Sequence, residues 1–151
     1  MTIVIIRFLN ILMAGLMAGS LFVIWIGYNP QTWSGQTYTE SQQSVIKALN
    51  TLMPILGLIT IVLTIISAFL QKNNQPVFIF LLISAGLLII SGLVTRFGNQ
   101  PINSIVMTWN KLNLPDNWTE LRDKWWSFHI VRAVTSFLAF CLIVWTCIRK
   151  D

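Results

Sequence analysis

Charge is what this sequence has least of. Only 10% of its 151 residues are charged, and five of those are acidic. A soluble domain of this length carries about 25% charged residues, so too few polar side chains are present to cover a water-exposed surface. With 55% hydrophobic residues and a mean hydropathy of +0.70, the chain reads as a small integral membrane protein. Histidine occurs once and cysteine twice. With no Cys/His cluster and no dinucleotide-type glycine loop, neither an intrinsic metal site nor a flavin site is indicated. Cys141 and Cys147 lie six apart in the last apolar run, a spacing that suits neither a disulfide nor a metal-ligand pair. They read as small core or lipid-facing residues. The net charge of +5 is scattered beside apolar runs, as expected for flanks of membrane helices, and nucleic acid is not an expected partner.

What is there is four apolar runs, at 3–27, 45–70, 76–95 and 128–148. Each is close to the ~20 residues that cross ~30 Å of hydrocarbon as a helix. The expected architecture is all-α: a four-helix transmembrane bundle with a structured extracytoplasmic loop between helices 3 and 4. The whole chain, 1–151, forms one integral membrane domain, with helices at about 3–27, 45–70, 76–95 and 118–148. The first run is long for a signal peptide and lacks a small-x-small cleavage site, so it is expected to stay in the mature protein. Pro54 falls one or two turns inside the second span, where a kink is tolerable. QKNNQ (71–75) predicts a tight turn between antiparallel neighbours, and 28–44 is a polar loop whose single charge is Glu40. In the 96–127 connection, Pro101 opens a predicted short helix over 101–112, lying across the bundle mouth. LPDNWTEL then breaks it and starts the fourth helix near Trp118, with Asp116 or Asn117 as N-cap. Gly15-x-x-x-Gly19 and the small residues Ser84, Ala85, Ser91 and Gly92 mark close-packing helix faces.

Arg7, Lys72, Arg149 and Lys150 lie on one side in short flanks. Lys47, Arg96, Lys111, Arg122 and Lys124 lie on the other, diluted among Asp116, Glu120 and Asp123. The positive-inside rule then places both termini in the cytoplasm, in the plasma membrane if the source is bacterial.

Before the fourth apolar run stands RDKWWSFHIVR, 122–132. At 100° per residue, Trp118, Arg122, Trp125, His129, Arg132 and Ser136 fall on one helix face within roughly 80°. Ionisable groups at membrane depth are costly unless they face the bundle interior, water or a partner. Interfacial anchors would spread around the helix, as Trp126 and Lys124 do, so the seam predicts a pocket at the outer mouth. Arg96, Asn99 and Asn103 follow the third helix on that side, and Gln43, Lys47 and Asn50 share a face of the second. A cationic, amide-rich, aromatic-walled pocket suits a planar, hydrophobic, partly anionic ligand such as a phenolate or quinone.

TRFGNQPINSIVMTWN (95–110) followed by PDNWTELRDKWWSFHIVR (115–132) resembles the signature of the anthrone oxygenase-like family of four-helix membrane proteins. The matching positions are Gly98, Asn99, Pro101, Ile102, Asn103, Trp109, Trp118, Arg122, Trp125, His129 and Arg132. YTESQQSVIKALNTLMP (38–54) is similar to the family's first loop and second helix. Members with an assigned activity are fungal polyketide-tailoring enzymes that oxidise an anthrone to an anthraquinone. The resemblance implies a cofactor-independent monooxygenase, an oxidoreductase in which His129 is the base and Arg122, Arg132 or Arg96 stabilises the oxyanion. Asn99, Asn103, Trp109, Trp118, Trp125, Arg96, Gln43 and Asn50 would line the ligand site. Two other readings stay open: a non-catalytic lipid- or quinone-binding protein, and a haem-binding membrane redox protein. His129 supplies one axial haem position, and a second would come from another copy in a homo-oligomer.

Overall fold

The computed structural model describes residues 1–148, so Arg149, Lys150 and Asp151, which enter the orientation reading, lie outside the described residues. Six α-helices follow in order: α1 (Thr2–Gly27), α2 (Gly35–Leu49), α3 (Leu52–Leu70), α4 (Gln75–Val94), α5 (Gln100–Val106) and α6 (Trp118–Ile148). A 3-10 turn, Pro30–Thr32, precedes α2, and a π-helical segment, Thr95–Asn99, joins α4 to α5. No strand is present among the described residues. Four helical stretches are long and apolar enough to cross a membrane: Thr2–Thr32, Leu52–Leu70, Gln75–Val106 and Trp118–Ile148. The protein is a multi-pass membrane protein of four apolar helices, as the hydropathy pattern predicts.

The four long helices close a ring, with α6 against α1 and α4, and α3 against the same two from the other side. Many large apolar side chains point outward, among them Val4, Phe8, Leu58, Ile83 and Leu138. Lipid is as apolar as leucine, so nothing drives them inside, and beside a core of Leu21, Leu81, Leu88 and Ile143 the interior holds small and hydroxyl residues that let helices approach. Ser84, Ser91, Thr60, Thr64, Ser67 and Ser136 are buried. Ser136 Oγ donates to Ser91 Oγ at 2.9 Å, and Thr64 Oγ1 to Asn10 Oδ1 at 2.8 Å. A Cβ on Gly15 would stand 3.3 Å from the Phe140 ring, so that glycine does mark a close approach to α6. Gly19 has nothing within 4 Å and is no part of it.

The end of the bundle opposite the termini departs from expectation in three places. The second apolar run is not one helix from 45 to 70, because α2 ends at Leu49 and α3 begins at Leu52. Pro54 therefore sits in the first turn of α3, where its missing N–H would have had no intrahelical acceptor, and no interior kink is needed. The segment 28–44 is largely helical: Ser34 caps α2 by accepting from the Thr37 N–H at 3.2 Å, and Tyr38, Thr39, Gln42 and Ile46 form its buried face. Between helices 3 and 4 the chain stays helical through Arg96, with the Gln100 N–H reaching back five residues to the Thr95 carbonyl. The short helix begins as predicted around Pro101 but ends at Val106, not 112. Gln43 Nε2 closes that end by donating to the Val106 and Trp109 carbonyls at 3.0 and 3.1 Å. The connection proper is thus only 107–117, and α6 starts at Trp118 as read from the sequence.

Candidate functional site

The seam on α6 divides into an inner and an outer part. In the inner part His129 is fully buried and lies parallel between two indoles, Trp125 at 5.3 Å and Trp126 at 5.5 Å between ring centres. Its Nδ1 accepts from Arg132 Nε at 3.1 Å and Nη2 at 2.9 Å. A guanidinium has no acceptor, so Nδ1 must be the unprotonated nitrogen. The proton then resides on Nε2, which donates to the Leu21 carbonyl of α1 at 3.2 Å. Both ring nitrogens are engaged, which leaves neither free for an axial haem bond, and a base function requires the Arg132 contact to open.

Arg132 is the side chain that this arrangement presents. Its guanidinium carbon is 5.7 Å from the Trp125 ring, and no carboxylate pairs with it among the described residues. It borders two adjoining cavities, one of about 210 Å³ and one of about 40 Å³. Leu21, Met53, Pro54, Thr95 and Arg132 line both. The larger is apolar, with Met17, Gly57 and Leu88 in its wall, and it reaches the surface between α3 and α4 at Leu58 and Arg96. The smaller is lined also by Gln42, Asn50, Asn103 and Trp125. Trp125 Nε1 donates to Asn103 Oδ1 at 2.8 Å, and Asn103 Nδ2 donates to Asn50 Oδ1 at 2.9 Å.

Besides His129, whose ring nitrogens are both engaged, five residues expected at the pocket line neither cavity. Arg122 is ten residues before Arg132 on α6, about 15 Å along the axis. It pairs with Asp123 at 2.9 Å and covers the Trp118 ring at 5.0 Å, so the expectation that Arg122 shares a cavity with Arg132 does not hold. Trp109 and Trp118 flank Tyr38, with ring centres 6.3 and 6.2 Å away. Gln43 holds the end of α5. Asn99, the last residue of the π segment, is buried, and its Nδ2 donates to the Trp125 carbonyl at 3.0 Å.

Two residues not singled out from the sequence, Gln42 and Tyr38, stand out here, together with Glu40. Gln42 is fully buried; its Oε1 accepts from Tyr28 Oη at 2.6 Å, while its Nε2 has no partner. Tyr38 is fully buried with an unpartnered hydroxyl, and burial pushes that phenol above its usual range, only partly offset by Arg122. Glu40 is held below the usual carboxylate range by its hydrogen bond from Lys111, 2.7 Å away, which ties α2 to the 107–117 connection. A signal for the first two existed: Tyr38, Gln42 and Ile46 are spaced by four, one face of a helix.

Residues 43–142 match the family model for anthrone oxygenase, a span from the middle of α2 into α6 that includes Arg132, His129 and the Asn50–Asn103–Trp125 chain. The chain belongs to the anthrone oxygenase family. No curated protein and no solved structure matches it. Within this member of the family, Leu21 and Gln42, which complete the cavities from the N-terminal side, fall outside the matched span.

Proposed function

We propose that the protein is a membrane-embedded oxygenase that takes a planar, hydrophobic phenolic or quinone-type molecule out of the bilayer into the cavity beside Arg132. The single observation that carries this reading is a guanidinium with no acidic partner, oriented by His129 and Trp125, on the wall of an apolar cavity. A cation so placed favours a ligand that brings its own negative or partly negative oxygen. About 210 Å³ exceeds the ~150 Å³ void that takes a benzene ring, and a larger planar molecule extends through the open side at Leu58.

For an anthrone-type substrate, Arg132 faces the ring oxygen, which becomes an oxyanion as the opposite CH2 loses a proton. The electron-rich ring carbon then reduces dioxygen. Overall the CH2 becomes C=O, one oxygen atom of O2 enters the product and the other leaves as water with the two hydrogens, so no further reductant is required. His129 holds Arg132 in place. The engaged imidazole also favours a second reading, a quinone- or lipid-binding protein without turnover, because no free base lines the cavity.

The test is to supply anthrone under air to the protein in lipid nanodiscs and follow oxygen uptake and anthraquinone absorbance. Turnover that falls about 10²–10³-fold in Arg132→Gln supports the oxygenase reading. Binding without oxygen uptake selects the second. The Lys/Arg distribution supports cytoplasmic termini and an outer face made of α2, α5 and the 107–117 connection.

A further inference from the structure

The Gln42 amide is the feature that the family match and the oxyanion reading leave unused. Its Nε2 is buried and unpartnered, and Gln42 is part of the wall of the 40 Å³ compartment that Arg132 also borders. Tyr28, at the end of α1, donates its hydroxyl to Gln42 Oε1 at 2.6 Å, which turns the amide's donor end away from itself. The fold thus keeps a buried N–H without an acceptor, a state that native proteins avoid except where something else supplies the partner. The compartment is close to the ~30 Å³ share of one water molecule. It accommodates one oxygen-bearing group and no ring. The ring has its place next door, in the apolar cavity that shares Leu21, Met53, Pro54, Thr95 and Arg132.

We infer that the two compartments form one bipartite site, in which Gln42 Nε2 and the Arg132 guanidinium together hold a single ligand oxygen while the apolar body fills the larger cavity. Both groups are donors. The side-chain oxygens of Asn50 and Asn103, in the same wall, already accept from Asn103 and Trp125. The oxygen that best suits two donors, one of them charged, is an anionic or carbonyl oxygen: a phenolate, an enolate or a ring carbonyl. A neutral alcohol or phenol brings no charge to Arg132 and is disfavoured for that reason. Gln42 is then the residue that selects the ionised or keto form, with Tyr28 as its positioning residue. This inference rests on the reading that the cavity beside Arg132 receives the ligand.

The experiment measures binding of 2-hydroxy-1,4-naphthoquinone, ionised at neutral pH, and of naphthalene, which has no oxygen, to the nanodisc-held protein. Gln42→Leu is expected to weaken the hydroxyquinone on the order of tenfold, the loss of one hydrogen bond to a charged group, and to leave naphthalene unchanged. Tyr28→Phe is expected to weaken the hydroxyquinone less, and to add nothing in the double variant with Gln42→Leu. Gln42→Glu keeps the size, places an anion opposite Arg132, and is expected to abolish hydroxyquinone binding while naphthalene still binds. Equal loss of both probes in Gln42→Leu, or loss of neither, overturns the role of Gln42. Hydroxyquinone binding that disappears in Arg132→Gln but persists in Gln42→Leu overturns the bipartite site and leaves the proposed function standing. Failure of the unsubstituted protein to bind either probe overturns both.

Discussion

Replacing His129 by phenylalanine and by glutamine separates two roles that a single alanine variant would confuse. Phenylalanine keeps a flat ring between Trp125 and Trp126 but removes the acceptor that holds Arg132 at 2.9–3.1 Å and the donor to the Leu21 carbonyl. A hydrogen bond to a charged group contributes about 1.5–3 kcal/mol, whereas side-chain hydrogen bonds measured in a membrane average ~0.6 and reach ~1.7 kcal/mol. The charge on Arg132 places this bond at the upper end of the membrane range, near ~1.7 kcal/mol. The Leu21 carbonyl sits inside α1 and retains helical partners, so its loss adds little. At about 1.4 kcal/mol per tenfold, His129→Phe should lower turnover or anion binding about 10- to 30-fold through misplacement of Arg132. Glutamine offers an oxygen to Arg132 and an N–H to Leu21 but cannot act as a base near neutral pH. A positioning role predicts that His129→Gln recovers most of what phenylalanine loses. Steady-state oxygen uptake and hydroxyquinone affinity, measured on both variants with thermal unfolding as a control, decide it. If His129→Gln is as inactive as His129→Phe while both bind ligand normally, the positioning argument is wrong and His129 is the base.

The remaining predictions concern the scaffold. Gly98→Ala should destabilise by about 1–3 kcal/mol, because the new methyl would stand 2.8 Å from the Phe128 ring; an unchanged melting temperature would mean that the π segment can retreat from α6. Tyr38→Phe removes a buried hydroxyl that has no partner and should leave thermal stability equal or higher. With its folded-state pKa raised, Tyr38 contributes stability that is present below about pH 10 and lost as pH rises beyond it; alkaline unfolding should therefore be shallower in Tyr38→Phe. A cysteine at exposed Gln36, in a background with Cys141 and Cys147 replaced, should react with an impermeant maleimide from outside intact cells. Labelling only after permeabilisation would invert the topology.

The membrane spans were legible because lipid demands hydrophobicity over ~20 consecutive residues. The α6 seam was legible for a similar reason, since Trp125, His129, Arg132 and Ser136 keep helical spacing through a region where polarity is costly. The break at Asn50–Thr51 was hidden, because Val45–Ile46 and Leu52–Met53 make the apolar run look continuous, and Pro54 reads as a kink until the helix is known to start beside it. Helix α2 escaped notice because its buried face carries Tyr38, Thr39 and Gln42, so apolar periodicity is faint. That same polarity separated Gln42 from Gln43: spacing with Lys47 and Asn50 selects Gln43, which props α5, whereas the neighbouring amide faces the cavity. The spacing that grouped Arg122 with Arg132 was correct in angle, but angle carries no information about height along a helix.

The π segment at Thr95–Asn99 makes the chain's length there non-negotiable. A five-residue reach in place of four inserts one extra residue into a helical path that otherwise runs unbroken from Gln75 to Val106. Deleting a single residue, even the outward-facing Phe97, would let an ordinary α-helix form and turn everything beyond it by about 100°. Ile102 and Val106 would rotate off Trp125 and Trp126, and Asn103 would leave both the indole N–H and Asn50. The connection at 107–117, by contrast, crosses no helix and can absorb gained or lost residues. Length variation among sequences of this type is thus expected to collect in that connection, while Thr95–Asn99 behaves as a phase marker that keeps α5 in step with α6.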